Sequence, residues 1–323
     1  MSQILAPPKV YLDTGHLINI ARLRRGEPIP NASLRDAYTT LDSYIVKKHF
    51  GLIYNPAAPL DWVDGKATFA SASEIADVIQ SAKLQYYFIG DPFIYTAEVF
   101  QELNRIAPTV TVPTLAILQP ILPNEEIAVA LGVLAKLVPN FLTTKDLQGV
   151  RGGTNLPEKL RLPTFRAIVK ETFNYRDKRR STYDERVEGF KAAMSNDIKH
   201  LVQIPKEMAE LRIQWMDRFL RLNPILTALN PNISPNDLLA TVDVERCPAM
   251  RLWFLARYRR IKAGFPAKDN DVDDWGSLPV APYADLMLTE RHLREFIIQA
   301  DPSFKKKVTA DPSEALQILS QWT

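Results

Sequence analysis

The residues of this sequence best suited to joint chemistry are carboxylates near its two ends. Asp13 follows the short apolar run 9–12, and Glu290 follows the run 286–288 and Thr289. Asp271, Asp273 and Asp274 cluster where the chain enters a predicted helix; Asp271 and Asp274, three apart, share a face there and repel each other. A few carboxylates that converge can hold a hard divalent cation such as Mg2+ or Mn2+, which keeps several waters and activates one against a phosphodiester. Without such a cation, gathered acids beside apolar strands are costly through mutual repulsion. Each acid also has a structural reading. Asp13 can cap a helix or start a turn, and the 271–274 cluster can interact with a helix dipole. Glu74 reads as a first-turn residue of a helix, which the same dipole favours without any function, and Glu98 and Glu102 compete with it. Asp285 is a further ligand candidate; it ranks below Glu290 because it begins the strand that Glu290 leaves, several residues' rise away.

The elements that must position these acids alternate between strand and helix patterns. A strand over 9–12 leads through Asp13 and Thr14 into a helix over 15–25. A second helix is expected over 33–48 and a second strand over 50–54, ended by Asn55 and Pro56. Ser71 or Ser73 is a candidate cap for the helix that carries Glu74. Another helix is expected from about 94 to 105, core helices between 110 and 141, and a boundary at Gly149–Gly153. Long polar helices then run to about 222, and a helix over 248–261 leads to a polar loop. The last segment reads as the acid cluster, a short helix, the strand 286–288 and a helix over 291–298. Strands alternating with helices imply an α/β fold with a mostly parallel sheet, which binds ligands beyond the carboxyl ends of its strands.

Composition bounds the function classes. With 323 residues and 46% hydrophobic content the chain can bury a full core. The N-terminus lacks a charged start followed by an apolar stretch, and no apolar run approaches the roughly 18 residues a membrane span needs, so the expectation is a cytoplasmic protein with no membrane partner. One cysteine, Cys247, excludes an intramolecular disulfide framework and a cysteine-rich zinc site, and four histidines make a zinc enzyme unattractive. Net charge is only +3, but residues 151–222 carry 16 Lys or Arg against 10 Asp or Glu, an excess that suits phosphate backbones, although a charged stretch of this kind is more often a solvated helical face.

The string Val10-Tyr-Leu-Asp-Thr-Gly-His-Leu-Ile18 resembles the opening strand and helix of PIN domains. The string Asp271-Val-Asp-Asp274, followed by Ala281-Pro-Tyr-Ala-Asp285-Leu-Met-Leu-Thr-Glu290, resembles the closing segment of bacterial PIN-like proteins. The likeness covers about 20 residues at the start and about 30 at the end, is fainter around Glu74, and is absent between about 150 and 240. It implies a three-layer PIN-like domain with a mostly parallel central sheet, formed discontinuously by 1–150 and 245–323 and interrupted by a helical insertion over 151–244. By similarity, Asp13, Glu74, Asp274 and Glu290 would be the metal-site acids of a ribonuclease, with Asp271 as a neighbour and Thr14 as a nearby hydroxyl. Two positions depart from the pattern: Glu290 stands where the family usually has aspartate, and Ser277 where related sequences often carry histidine. The extra methylene at 290 moves a carboxylate by about 1.5 Å.

RNA is the expected partner, through the 151–244 insertion and through Arg176, Lys178, Arg179 and Arg180, where Tyr175 adds a stacking ring. Arg257 and Arg260 could also face substrate phosphates. DNA cleavage in a defence or toxin setting, and a PIN-like scaffold that binds RNA or protein without cutting, remain alternatives, as do a homodimer and an inhibitory protein partner.

Overall fold

The computed structural model describes residues 7–29, 31–47, 49–54, 69–82, 85–88, 93–112, 117–120, 222–263 and 275–322, together with 185, 187–189 and 191–192. The chain opens with strand β1 (Lys9–Leu12), followed by helices α1 (Thr14–Arg24) and α2 (Ala32–Lys47) and strand β2 (Gly51–Tyr54). Helix α3 (Phe69–Ser81), strand β3 (Gln85–Phe88), helix α4 (Phe93–Ile106) and strand β4 (Leu118–Pro120) come next. Helices α5 (Leu222–Leu229), α6 (Pro235–Ala240) and α7 (Pro248–Lys262) lead to strand β5 (Leu286–Leu288), helix α8 (Arg291–Ala300), strand β6 (Val308–Thr309) and helix α9 (Pro312–Leu319).

Local chemistry accounts for several boundaries. Helix α1 starts at Asp13, whose carboxylate accepts from the Thr14 N–H, and stops at Gly26, which takes a φ of 73°. The Gly26 N–H then donates to the Leu23 carbonyl and the Glu27 N–H to that of Arg22, a Schellman arrangement that needs a left-handed residue at this point. Asn31 begins α2 by accepting from the Ser33 and Leu34 N–H groups. Ser71 and Ser73 are not caps, because α3 begins at Phe69 and both serines lie inside it.

Among the described residues six strands lie in the order β4-β3-β2-β1-β5-β6, and all neighbours are parallel except the β3–β4 pair. Sequence patterning expected helix where β4 forms, since Pro113 and Pro120 interrupt an apolar stretch that alone does not distinguish a short strand from a core helix. Strands β3 and β6 carry no expectation from the sequence, β6 because two residues are too few for a period. Side chains alternate across the sheet. Val10, Leu12, Leu52, Leu286 and Leu288 pack on one face against α1, α2, α3 and α9. Tyr11, Ile53, Phe88, Met287 and Val308 pack on the other against α4 to α8. The fold is therefore α/β, with helices on both sides of a mostly parallel sheet. Leu222, Leu226, Leu238 and Leu239 belong to this second core, so residues 222–240 pack with α4 and α7 although the sequence placed them in the insertion.

Candidate functional site at the carboxyl edge of the sheet

Leaving β4 aside, the parallel strands are arranged as third, second, first, fourth and fifth in chain order, so the direction of winding reverses between β1 and β5. At such a switch point the connections leave on opposite faces, opening a crevice beyond the carboxyl ends of the two strands. The register pairs Leu12 with Leu288, and the Asp13 N–H donates to the Leu288 carbonyl at 2.9 Å. Asp13 and the Thr289-Glu290 pair, 276 and 277 positions apart in sequence, are thereby brought together at the carboxyl ends of these two strands.

The Asp13 carboxylate is held from two sides. One oxygen accepts from the Thr14 N–H at 2.7 Å, and the other from the Thr289 hydroxyl at 3.0 Å. Capping thus accounts for one oxygen only. Glu290 stands at the N-cap of α8 without using its side chain to cap that helix. Its Oε1 lies instead over the first turn of α1, 3.8 Å from where a Cβ on Gly15 would stand. Burial raises the Glu290 pKa, the Asp13 charge raises it further, and His292 offsets part of the rise. Among the described residues no Lys or Arg forms an ion pair with either acid. The pair is electrostatically uncomfortable as it stands, and it offers hard oxygen donors of the kind Mg2+ or Mn2+ prefers.

A buried polar relay lies behind the two acids. Thr289, fully buried, donates its N–H to the Thr309 carbonyl at 2.9 Å. His16, one turn into α1 and also buried, places Nε2 3.2 Å from the Thr289 carbonyl and Nδ1 2.9 Å from the Tyr38 hydroxyl. Asn19 donates to that same hydroxyl at 3.1 Å. Burial lowers the His16 pKa, against smaller raising effects of the Thr289 carbonyl and the Asp13 charge. Sequence reading assigned nothing to His16, Tyr38 or the Thr289 hydroxyl. The available signal was the i, i+3 spacing of Asp13 and His16, which puts both on one side of α1.

Not every expected acid joins the site. Glu74 ion-pairs with Arg25, which follows the last residue of α1, about 18 Å along the helix axis from Asp13. Its place on α3 thus turns it toward the far end of α1 rather than toward the crevice. Asp285 accepts from the Lys9 N–H at 2.7 Å at the amino edge of the sheet, opposite Glu290, because β5 runs between them. Glu98 and Glu102 are also committed elsewhere: Glu98 accepts from the Ala249 and Met250 N–H groups, and Glu102 pairs with Arg105 and Arg246. Asp271, Asp273 and Asp274 lie outside the described residues, and among the described residues no three acids, histidines or cysteines come together as a metal-binding group. The chain is described again from Trp275, and Ser277 hydrogen-bonds Tyr11 at 2.9 Å, two residues before Asp13.

The cationic candidates also divide. Arg257 stacks 4.5 Å over the Trp253 ring, and burial pulls its pKa down to about 10. Arg260 is only 5% exposed. Arg257 thus lies against an aromatic ring and Arg260 is buried within the helical layer. Arg176, Lys178, Arg179 and Arg180 lie outside the described residues. No helix among the described residues is long and apolar enough to cross a membrane. No protein-family model, curated protein or solved structure matches the chain.

Proposed function

We propose that this chain is a PIN-like, metal-dependent ribonuclease whose site lies at the β1/β5 switch point. The observation that carries the reading is the apposition of Asp13 and Glu290: two carboxylates at adjacent strand ends with no Lys or Arg ion pair among the described residues, the Glu290 pKa raised by burial and further by the Asp13 charge. Mutual repulsion of this kind costs stability unless a bound cation offsets it, so an arrangement that retains it suits a site built to hold one. Asp13 and Glu290 would hold Mg2+ or Mn2+ together with Asp271 and Asp274 from the acid cluster, and Glu74 and Asp285 drop out of the set because of where they stand. When bound, such an ion supplies Lewis-acid activation of water and offsets charge on the phosphodiester. The chain's own contribution is to fix carboxylate direction, through Thr14 and Thr289 for Asp13, and to seat the acids at the crevice where the substrate backbone would lie. The Tyr11–Ser277 hydrogen bond supports inclusion of Asp274, since it ties the segment just after that residue to the strand that delivers Asp13.

The test is cleavage of labelled single-stranded RNA and matched DNA with Mg2+ or Mn2+, comparing wild type with Asp13→Asn and Asp274→Asn. The expected result is metal-dependent RNA cleavage that falls below detection in both folded variants. DNA cleavage in place of RNA cleavage would move the substrate class. Absence of both with folded protein would replace the nuclease by a binding module that retains the PIN-like scaffold.

A further inference from the structure

We infer that His16 is a positioning residue, a neutral Nε2-protonated imidazole that holds Thr289 so that the Thr289 hydroxyl aims at the Asp13 carboxylate. The value of that role rests on the proposed reaction, whereas the arrangement itself follows from donors and acceptors. A carbonyl oxygen only accepts, so the His16 Nε2 that faces the Thr289 carbonyl at 3.2 Å carries the proton. In the neutral ring Nδ1 is then bare and accepts from the Tyr38 hydroxyl at 2.9 Å. The Asn19 amide, which has protons to give, donates to the same Tyr38 oxygen at 3.1 Å, leaving the hydroxyl proton directed at His16. Donation therefore runs one way, from Asn19 through Tyr38 and His16 to the backbone of Thr289.

The last link is covalent. Thr289 carries both the carbonyl that His16 holds and the hydroxyl that reaches Asp13 Oδ2 at 3.0 Å. Threonine is stiff at χ1, and Thr289 is fully buried, so fixing its backbone fixes where its hydroxyl points. Its N–H is engaged by the Thr309 carbonyl, so the residue is held on both sides. A buried histidine that merely satisfied its own nitrogens would have no need to grip the residue that orients the acid. Groups that orient a metal ligand commonly matter about 10–100-fold in activity or metal affinity when removed.

The experiment combines long-range proton–nitrogen NMR on the full-length protein with turnover and Mn2+ titration of Tyr38→Phe, His16→Leu and His16→Gln. The expected wild-type signature is the neutral Nε2–H tautomer at His16. Tyr38→Phe and His16→Leu are expected to lose about tenfold in kcat and Mn2+ affinity with KM for RNA unchanged, and His16→Gln, whose amide nitrogen can take the place of Nε2, to recover most of both. An Nδ1–H tautomer overturns the inference, and so does Tyr38→Phe with wild-type turnover and Mn2+ affinity. A wild type that neither binds Mn2+ nor cleaves RNA sinks the proposed reaction instead. His16 is then judged at Asp13 directly: a displaced Asp13 carboxyl carbon signal in Tyr38→Phe supports the positioning, and an unmoved one overturns it.

Discussion

Glu290 sits where a shorter acid would turn back and cap its own helix, yet its carboxylate reaches across to the first turn of α1 and meets the charge of Asp13. Burial, then Asp13, raises its pKa. A carboxyl with a raised folded-state pKa holds its proton more tightly when folded, so the stability it contributes is present below its ordinary value of 4.5 and is lost as pH rises through the raised value. Glu290→Gln removes that loss while keeping the shape. The variant is expected to melt above the wild type at about pH 7.5 and alongside it at about pH 4. Mn2+ should narrow or reverse the difference at neutral pH, since an ion that binds the folded state stabilises most the chain that keeps its ligand. Thermal melts at the two pH values, with and without Mn2+, decide this; a variant that melts lower at neutral pH would show that Glu290 makes a stabilising contact rather than half of a repelling pair.

Among the helices, α7 shows how a buried acid is used for architecture. Its first N–H groups, at Ala249 and Met250, donate to the two carboxylate oxygens of Glu98 on α4 at 2.6 and 2.9 Å, and the Tyr283 hydroxyl donates to the same carboxylate. Helix N-termini leave N–H groups without intrahelical partners, and here an acid from another helix satisfies two of them. Burial pushes the Glu98 carboxyl up to about 7, against the lowering effect of these three hydrogen bonds. Glu98→Gln puts an amide nitrogen where one donor now points, leaving a buried group unsatisfied, and should cost about 1–3 kcal/mol in urea unfolding. The raised pKa gives the sign of the pH effect: the wild-type advantage from this group is complete below about 4.5 and fades as pH rises through about 7, so the gap to the variant should narrow between about pH 5 and about pH 8. A gap that widens over that range would mean that the hydrogen bonds outweigh burial.

At the scale of the whole molecule, the fold closes around β1, which pairs with β2 on one side and with β5, from the far end of the chain, on the other. A chain ending before Asp285 leaves β1 as an open edge with Val10 and Leu12 without Leu286 and Leu288 beside them. Unpaired apolar edges invite association, so this truncation is expected to elute as aggregate in size-exclusion chromatography and to show no cooperative melt. A monomeric, cooperatively melting fragment would show that the N-terminal strands form a core without β5.

Much of this was legible locally. The strand–acid–helix run at 9–24 and the strand–Thr–acid–helix run at 286–300 are both present with bounds shifted by a residue or two, because short apolar runs, an N-cap acid and helical spacing act within a few residues. Placement of Asp13 and Glu290 at strand ends was readable for the same reason. Glu74 was not: an acid on a helix reads alike whether it faces a crevice or an arginine, and the Arg25 partner lies 49 positions away. Arg257 and Arg260 read as groups that could face substrate phosphates; the contact of Arg257 with the Trp253 ring and the burial of Arg260 were not readable, because a long aliphatic stem lets a charged residue lie against the core without altering the local pattern.

By itself, the sequence determined the strand–helix runs at 9–24 and 286–300 and which acids stand at their ends, since these follow from side-chain periodicity and capping over a few residues. Only the tertiary structure decided that β1 and β5 are neighbours, that Asp13 therefore stands beside Glu290, and that His16 grips Thr289. Strand order depends on burying both faces of the sheet at once, a condition set by the whole chain that no local stretch of it contains.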